Sequence, residues 1–377
     1  MLSVTENKST FSDQDLVQMV RRENNPKRNY LLVNSKQGKH IPADPHDVMI
    51  LFSQLAGCIK DVVSDEKVLF IGFAETATAV GTGVASCFEN ACYVHTTREK
   101  YISEKYLVAE FSEEHSHAVE QLLFFKNWEE TAAELDRIVF VEDEISTGKT
   151  IENFVKVLKK DRFLSPDIKF SACSILNGMS DERKNELLSE NLDFYYLAKI
   201  SAAPDSDEVY SFDSTPEKKR SKFDSEEITI RGKSELRTGM NVSEYLSSCA
   251  VLSEKIRSRI SFENLDIAVI GTEECMYPAI YTAADILEKD SALSVVTHST
   301  TRSPIVADSS EDYPLKSRYE VESFYDKSRK TYIYNSDIKK YDIVLIITDS
   351  ENDGTDVRSI ADAFRLSDKF ITVRWVK

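Results

Sequence analysis

Ile138-Val-Phe-Val-Glu-Asp-Glu-Ile-Ser-Thr-Gly-Lys-Thr150 decides how this chain is read. Four apolar, strand-forming residues run into the acids Glu142 and Asp143, and a short loop of Ser, Thr and Gly follows. Beyond it Ile151, Phe154, Val155 and Leu158 recur at helical spacing. A buried strand thus delivers two carboxylates to its C-terminal end. Small and hydroxyl residues stand at the next helix N-terminus, where backbone N–H groups and the helix dipole attract phosphate. Carboxylates beside a phosphate cradle suit a sugar phosphate: acids accept from ribose hydroxyls, and amides hold a 5′-phosphate. The plainer alternative is an ordinary strand–loop–helix with a polar turn.

The closing Gly-Lys-Thr invites a P-loop reading, which the residue at the head of the motif rejects. A P-loop needs glycine there, so that backbone can curl around a triphosphate. That place is Asp143, whose carboxylate repels phosphate. The pattern instead resembles the PRPP-binding signature of type I phosphoribosyltransferases. The resemblance gives the ribose hydroxyls to Glu142 and Asp143, and the 5′-phosphate to Ser146, Thr147, Gly148, Lys149 and Thr150.

A chain of 377 residues exceeds one compact domain of usual size, so two are expected. The net charge of −17 makes it a poor non-specific nucleic-acid binder, and no nucleic-acid partner is expected. A hydrophobic fraction of 41% is enough for real cores. Cys58, Cys87, Cys92, Cys173, Cys249 and Cys275 form no Cys-x-x-Cys pair and read as free thiols of a reducing compartment. The N-terminus lacks the apolar core of a signal peptide, and no apolar run reaches membrane length. A soluble, cytoplasmic protein without a membrane partner is expected.

Strands are expected at Tyr30–Val33, 68–71, 91–95, 138–142, 168–176 and 194–200, with a helix over 47–59. Strands alternating with helices predict an α/β, doubly wound parallel sheet over residues 25–200. Residues 1–24 read as a lead-in or short helix, and 201–236 as a linker or excursion. A second α/β domain covers 237–377, with helices near 243–258 and 278–288 and strands at 267–270, 293–297 and 343–348.

The second half weakly echoes the first. Val68-Leu-Phe-Ile-Gly-Phe-Ala-Glu compares with Ile267-Ala-Val-Ile-Gly-Thr-Glu-Glu, Arg98 with Arg302, and Asp143 with Asp349. Chance similarity between two α/β domains is the alternative. The second copy carries extra acids in Asp349-Ser-Glu-Asn-Asp-Gly354, a poor place for an anion.

Other candidates lie in loops. Ala74, Glu75 and Thr76 follow the second strand, where ligands of parallel sheets sit. Glu75 suits diphosphate only through Mg²⁺, which prefers oxygen ligands and bridges phosphates. Arg98 follows the next strand, and its planar fork fits a diphosphate. His115 and His117, behind two glutamates, are candidates for acid–base chemistry or for an exposed polar loop. Lys39, in a basic turn, stands between a hood that selects the acceptor and a solvated turn. Thr301, Arg302 and Ser303 make a candidate oxyanion nest in the second half.

Together, Asn25-Pro-Lys-Arg28, Gly38-Lys-His-Ile-Pro42, Gly72-Phe-Ala-Glu-Thr76, Glu113-Glu-His-Ser-His-Ala118, Val141–Thr150, Gly271-Thr-Glu-Glu274 and Thr301-Arg-Ser-Pro304 resemble one family. It is the bacterial phosphoribosyltransferases of tellurite-resistance and stress gene clusters, with a C-terminal TRSP domain. The resemblance implies a type I fold and PRPP with Mg²⁺ held through Asp143 and Glu75. It also implies a base-like acceptor, a nucleoside-like product and a homo-oligomer. The catalytic set is then Glu142, Asp143, His115, His117 and Lys39, with Ala74, Glu75, Thr76 and Arg98 at the pyrophosphate. A non-catalytic PRPP or nucleotide sensor, or a scaffold of a stress system, is the competing reading. The missing basic residue in Gly72–Thr76 departs from better-known type I enzymes.

Overall fold

The structure is a computed structural model that describes residues 2–25, 28–99, 102–111, 121–201, 209–212, 222–352 and 357–377. Numbered along the chain, the strands begin with β1 (Val4–Asn7), β2 (Gln18–Arg21), β3 (Tyr30–Val33), β4 (Val68–Gly72), β5 (Cys92–His95) and β6 (Leu107–Phe111). Next come β7 (Gln121–Phe124), β8 (Arg137–Ile145), β9 (Lys169–Asn177), β10 (Leu192–Ile200), β11 (Asp224–Arg231) and β12 (Met240–Asn241). The last are β13 (Asp266–Gly271), β14 (Ser294–Ser299), β15 (Arg318–Glu322), β16 (Lys330–Tyr334), β17 (Ile343–Thr348) and β18 (Lys369–Val376). The helices are α1 (Asp13–Leu16), α2 (Pro45–Gly57), α3 (Lys60–Val63), α4 (Thr78–Ala85) and α5 (Trp128–Glu134). They continue with α6 (Lys149–Leu158), α7 (Asp181–Ser189), α8 (Val242–Arg257), α9 (Tyr277–Lys289) and α10 (Arg358–Ala363).

The chain forms two compact units. The first holds residues 1–10, 52–203 and 234–247; the second holds 11–51, 204–233 and 248–377. The units cut the chain differently from the sequence boundaries, because residues 25–51 pack within the second.

In the first unit the sheet order is β1-β10-β9-β8-β4-β5-β12 among the described residues. Its five inner strands are parallel, and β1 and β12 close the edges antiparallel. Ile138, Val139, Phe140 and Val141 of β8 are wholly buried. A strand covered on both faces needs such an unbroken apolar run. The stripe Ile151, Phe154, Val155 and Leu158 is the buried face of α6 and packs with Phe73, Phe140 and Phe170. The thiols are free; burial pushes that of Cys173 far up, so it stays protonated and unreactive.

The second unit is built on the all-parallel order β11-β18-β17-β13-β14. Strand β11 corrects the linker expected at 201–236. Only Ile228 and Ile230 are buried in it, since an edge strand covers one face and reads as polar. Residues 1–24 hold the short helix expected as one alternative, α1, and two strands besides, β1 and β2. Ser12 and Asp15 close a reciprocal capping box on α1, and β2 pairs with β3 over a small core of Val20, Val33, Ile305 and Leu315.

The internal echo is a repeated core. Four strands stand in the order β5-β4-β8-β9, and four in the order β14-β13-β17-β18. The registers agree: Gly72 faces His95 and Val141, while Gly271 faces Ser299 and Ile347. Loop hydrogen bonds repeat as well. Thr96 N donates to Gly72 O at 2.9 Å and Thr300 N to Gly271 O at 3.0 Å. Thr97 exchanges backbone bonds with Leu122 on the β6–β7 hairpin, as Thr301 does with Tyr332 on the β15–β16 hairpin. A Cβ on either glycine would collide with the loop that follows, 2.9 Å from Ala77 O or 2.7 Å from Cys275 O. The copies differ outside this core: β10 follows β9 in the chain, whereas β11 precedes β13, and β1 and β12 have no counterpart among the described residues.

Candidate functional site

The candidate residues of the first unit gather at the C-terminal ends of adjacent strands β8, β4 and β5. Register places Asp143 two residues past Val141, Glu75 three past its partner Gly72, and Arg98 three past His95. Strand β8 runs beyond the expected end at 142, and Glu142, Asp143 and Glu144 lie half-buried on its tail. Pairing with β9 holds that tail through Glu142–Ser174 and Glu144–Leu176. Asp143 Oδ1 accepts the Glu144 N–H at 3.0 Å.

Ser146 and Thr147 are exposed, and Gly148 is buried as the residue that opens α6. Its φ of +71° is a left-handed conformation that glycine adopts without a Cβ clash. A Cβ there would also stand 2.9 Å from Leu187 Cδ1 and 3.0 Å from Met179 Sδ. Lys149 and Thr150, expected as loop residues, form the first turn of α6 instead. The loop is braced from α7, whose Ser180 N-cap accepts from Arg183 N. Arg183 Nε donates to Thr147 O at 3.1 Å, while its guanidinium pairs with Glu152 of α6 and with Glu186 at 3.0 Å. Hydrogen bonds from Lys156 and then Arg183 hold the Glu152 carboxyl below its ordinary range, against the opposing effect of burial. Arg183 follows no motif. Its only sequence signal is the Ser-Asp-Glu helix start before it.

The loop after β4 contains a cis peptide between Ala74 and Glu75. Two buried side chains clamp Ala74. Thr96 Oγ1 accepts Ala74 N–H at 2.8 Å, and Gln121 Nε2 donates to Ala74 O at 2.9 Å. Thr96 Oγ1 donates in turn to Gln121 Oε1, closing the triangle. The Ala74 amide is therefore committed to the protein. Glu75 and Thr76 on this loop and Arg98 after β5 are all half-buried. Gln121 carries no sequence signal, since it lies in a stretch without a strong helix or strand pattern and its partner Ala74 is remote in the chain.

His115 and His117 lie outside the described residues. Lys39 is fully buried in the second unit, its Nζ 3.8 Å from Met276 Sδ. Thr301 is buried at the end of β14, with its Oγ1 3.2 Å from Ser303 Oγ, and Arg302 Nε donates to Glu273 Oε2 at 2.9 Å. Among the described residues, no three His, Cys, Asp or Glu side chains gather as a metal-holding group. The half-buried carboxylates on the β8 tail and Glu75 fit Mg²⁺ as a guest held chiefly by substrate phosphates, not by a protein cage. No helix among the described residues is long and apolar enough to cross a membrane.

Residues 16–202 match the family model described as phosphoribosyl transferase, PRTase_2. Residues 237–364 match the TRSP domain, described as C-terminal to PRTase_2. The chain carries a phosphoribosyl transferase domain followed by a TRSP domain. By its first domain it is a phosphoribosyltransferase. No curated protein matches it. Solved structures similar to it include orotate phosphoribosyltransferase from Aeropyrum pernix, at 14% identity and a TM-score of 0.29, over 46% of this chain and 80% of that one. Another is the APRTase from Giardia lamblia complexed with 9-deazaadenine, at 11% identity and a TM-score of 0.35, over 50% of this chain and 98% of that one. Adenine phosphoribosyltransferase from Leishmania tarentolae has 14% identity and a TM-score of 0.34, over 53% and 94%. The α/β reading rests on the strand order and the family match, since these scores are too low to add to it.

Proposed function

We propose that the phosphoribosyl transferase domain transfers a phosphoribosyl group from PRPP to a nitrogenous, base-like acceptor, or runs the reverse pyrophosphorolysis, with Mg²⁺. The observation that carries this reading is the β8 tail. Half-buried carboxylates follow the wholly buried run Ile138–Val141 of β8 and lead through three residues into a helix opened by a packed, left-handed Gly148. In this reading Glu142 and Asp143 accept the ribose hydroxyls. Ser146, Thr147 and the first-turn amides of α6 hold the 5′-phosphate, Arg183 keeps that loop in place, and Arg98 faces the diphosphate. Bound Mg²⁺ would supply charge neutralisation on the phosphate oxygens. The acceptor nitrogen forms a bond to C1 of the ribose as the C1–O bond breaks and pyrophosphate leaves. The protein contributes positioning and charge stabilisation. The same reading takes the product as nucleoside-like, the setting as a stress gene cluster and the protein as a cytoplasmic homo-oligomer.

The chain is incubated with PRPP, Mg²⁺ and a cell metabolite extract, and products are read by mass spectrometry and pyrophosphate release. A ribosylated product with equimolar pyrophosphate is expected. Binding of PRPP without any product would instead support a sensor.

A further inference from the structure

The second unit repeats the first closely enough to compare positions. Gly271 takes the place of Gly72, so Glu273 falls where the first unit has Ala74. The threonine half of the clamp recurs: Glu273 N donates to Thr300 Oγ1 at 3.0 Å, as Ala74 N does to Thr96 Oγ1. At this position the first unit carries a methyl group and the second a carboxylate, 1% exposed.

That carboxylate is heavily used. Its Oε2 accepts from Arg302 Nε at 2.9 Å and from Arg329 NH1 at 2.8 Å. Its Oε1 accepts from Ser323 Oγ at 2.5 Å. Arg302 NH2 also lies 3.7 Å from Glu274 Oε1. The partners come from separate places: the end of β14, and the two ends of the β15–β16 turn. Glu273 sits at φ +47°, a left-handed conformation that disfavours a side-chain-bearing residue and persists only where the surroundings enforce it.

We infer that Arg302 and Arg329, with Ser323, form an oxyanion site that the chain closes with its own Glu273 carboxylate. Two guanidinium groups and a hydroxyl converging on one small anion are the donor set that recognises phosphate or diphosphate oxygens as well as carboxylate. A carboxylate tethered in the site has a high effective concentration and excludes the free anion. The TRSP domain then carries a closed copy of an anion site, so a second PRPP site is not to be looked for there. This concerns the second unit alone, and stands whether or not the first transfers phosphoribosyl groups.

Calorimetric titration of the full chain with inorganic pyrophosphate, without metal, tests it. Wild type, Glu273→Ala and the double variant Glu273→Ala/Arg302→Gln are compared. Glu273→Ala should gain one pyrophosphate equivalent per chain, and the double variant should lose it. Equal stoichiometry in wild type and Glu273→Ala would overturn the inference, as would an added site that survives Arg302→Gln. Because Glu273→Ala removes a buried carboxylate that both guanidinium groups bond, its fold is followed by thermal melting with and without pyrophosphate, beside Glu273→Gln. A melting temperature that pyrophosphate raises more in these variants than in wild type supports the closed site. Variants that stay unfolded at saturating pyrophosphate count against it.

Discussion

Asp143 and Glu142 stand on a strand tail whose backbone is held by β9, so altering their side chains leaves the sheet's hydrogen-bond ladder intact. Hydrogen bonds to charged groups contribute about 1.5–3 kcal/mol each, so Asp143→Asn or Glu142→Gln should weaken PRPP binding roughly tenfold to a hundredfold. The melting temperature should barely move; a large drop would mean the acids are structural. Gly148→Ala acts the other way. It forces a Cβ into a left-handed residue already against Leu187 and Met179, which should cost about 1–3 kcal/mol in denaturant unfolding and loosen the loop. Unchanged stability would show that the loop relaxes freely. Both sites were legible, because acids after a buried strand and glycine before a helix are local patterns. Arg183 and Gln121 were not, since their importance comes from partners 36 and 47 residues away.

At the scale of elements, two braces position the loops around the candidate site. The first runs from α7 through Arg183 to the Thr147 carbonyl and Glu152. Arg183→Gln should raise KM for PRPP several-fold while changing kcat less, because it loosens the cradle and touches no reacting atom; equal KM in steady-state kinetics would remove Arg183 from the account. The second brace is the Thr96–Gln121 clamp on Ala74. Thr96→Val leaves a buried amide and a buried carbonyl oxygen unpaired, a cost of about 1–3 kcal/mol per group, readable as a lower unfolding midpoint. The elements most visible in sequence were the fully buried strands β4 and β17 and the buried run Ile138–Val141 of β8, whose apolar residues need no context. The strands missed beyond residue 24 were β6, β7, β11, β12, β15, β16 and β18. In β11 only alternate residues are covered, and the β15–β16 hairpin carries Arg, Glu, Lys and Tyr on its polar side. Residues 1–24 read as polar because β1 and β2 are short edge pieces with one buried residue between them.

At the scale of the whole molecule, the second unit contains a group that links stability to pH. His298 is wholly buried between the Tyr334 and Gly38 carbonyls; burial outweighs both and lowers its pKa to about 4. The unfolded chain, with an ordinary histidine near 6.5, binds a proton that the folded chain refuses between those values. Stability is therefore full above about pH 6.5 and falls as pH drops toward 4, by up to roughly 3 kcal/mol. Calorimetric melting of wild type and His298→Gln across this range should show a shallower acid slope in the variant. Parallel slopes would exclude His298 as the source. The central claim, that the β8 carboxylates hold the ribose of PRPP, is tested most directly by titrating PRPP with Mg²⁺ into wild type and Asp143→Asn. The account predicts saturable binding to wild type that weakens at least tenfold in the variant. No binding to wild type, or equal affinity in both, would contradict it.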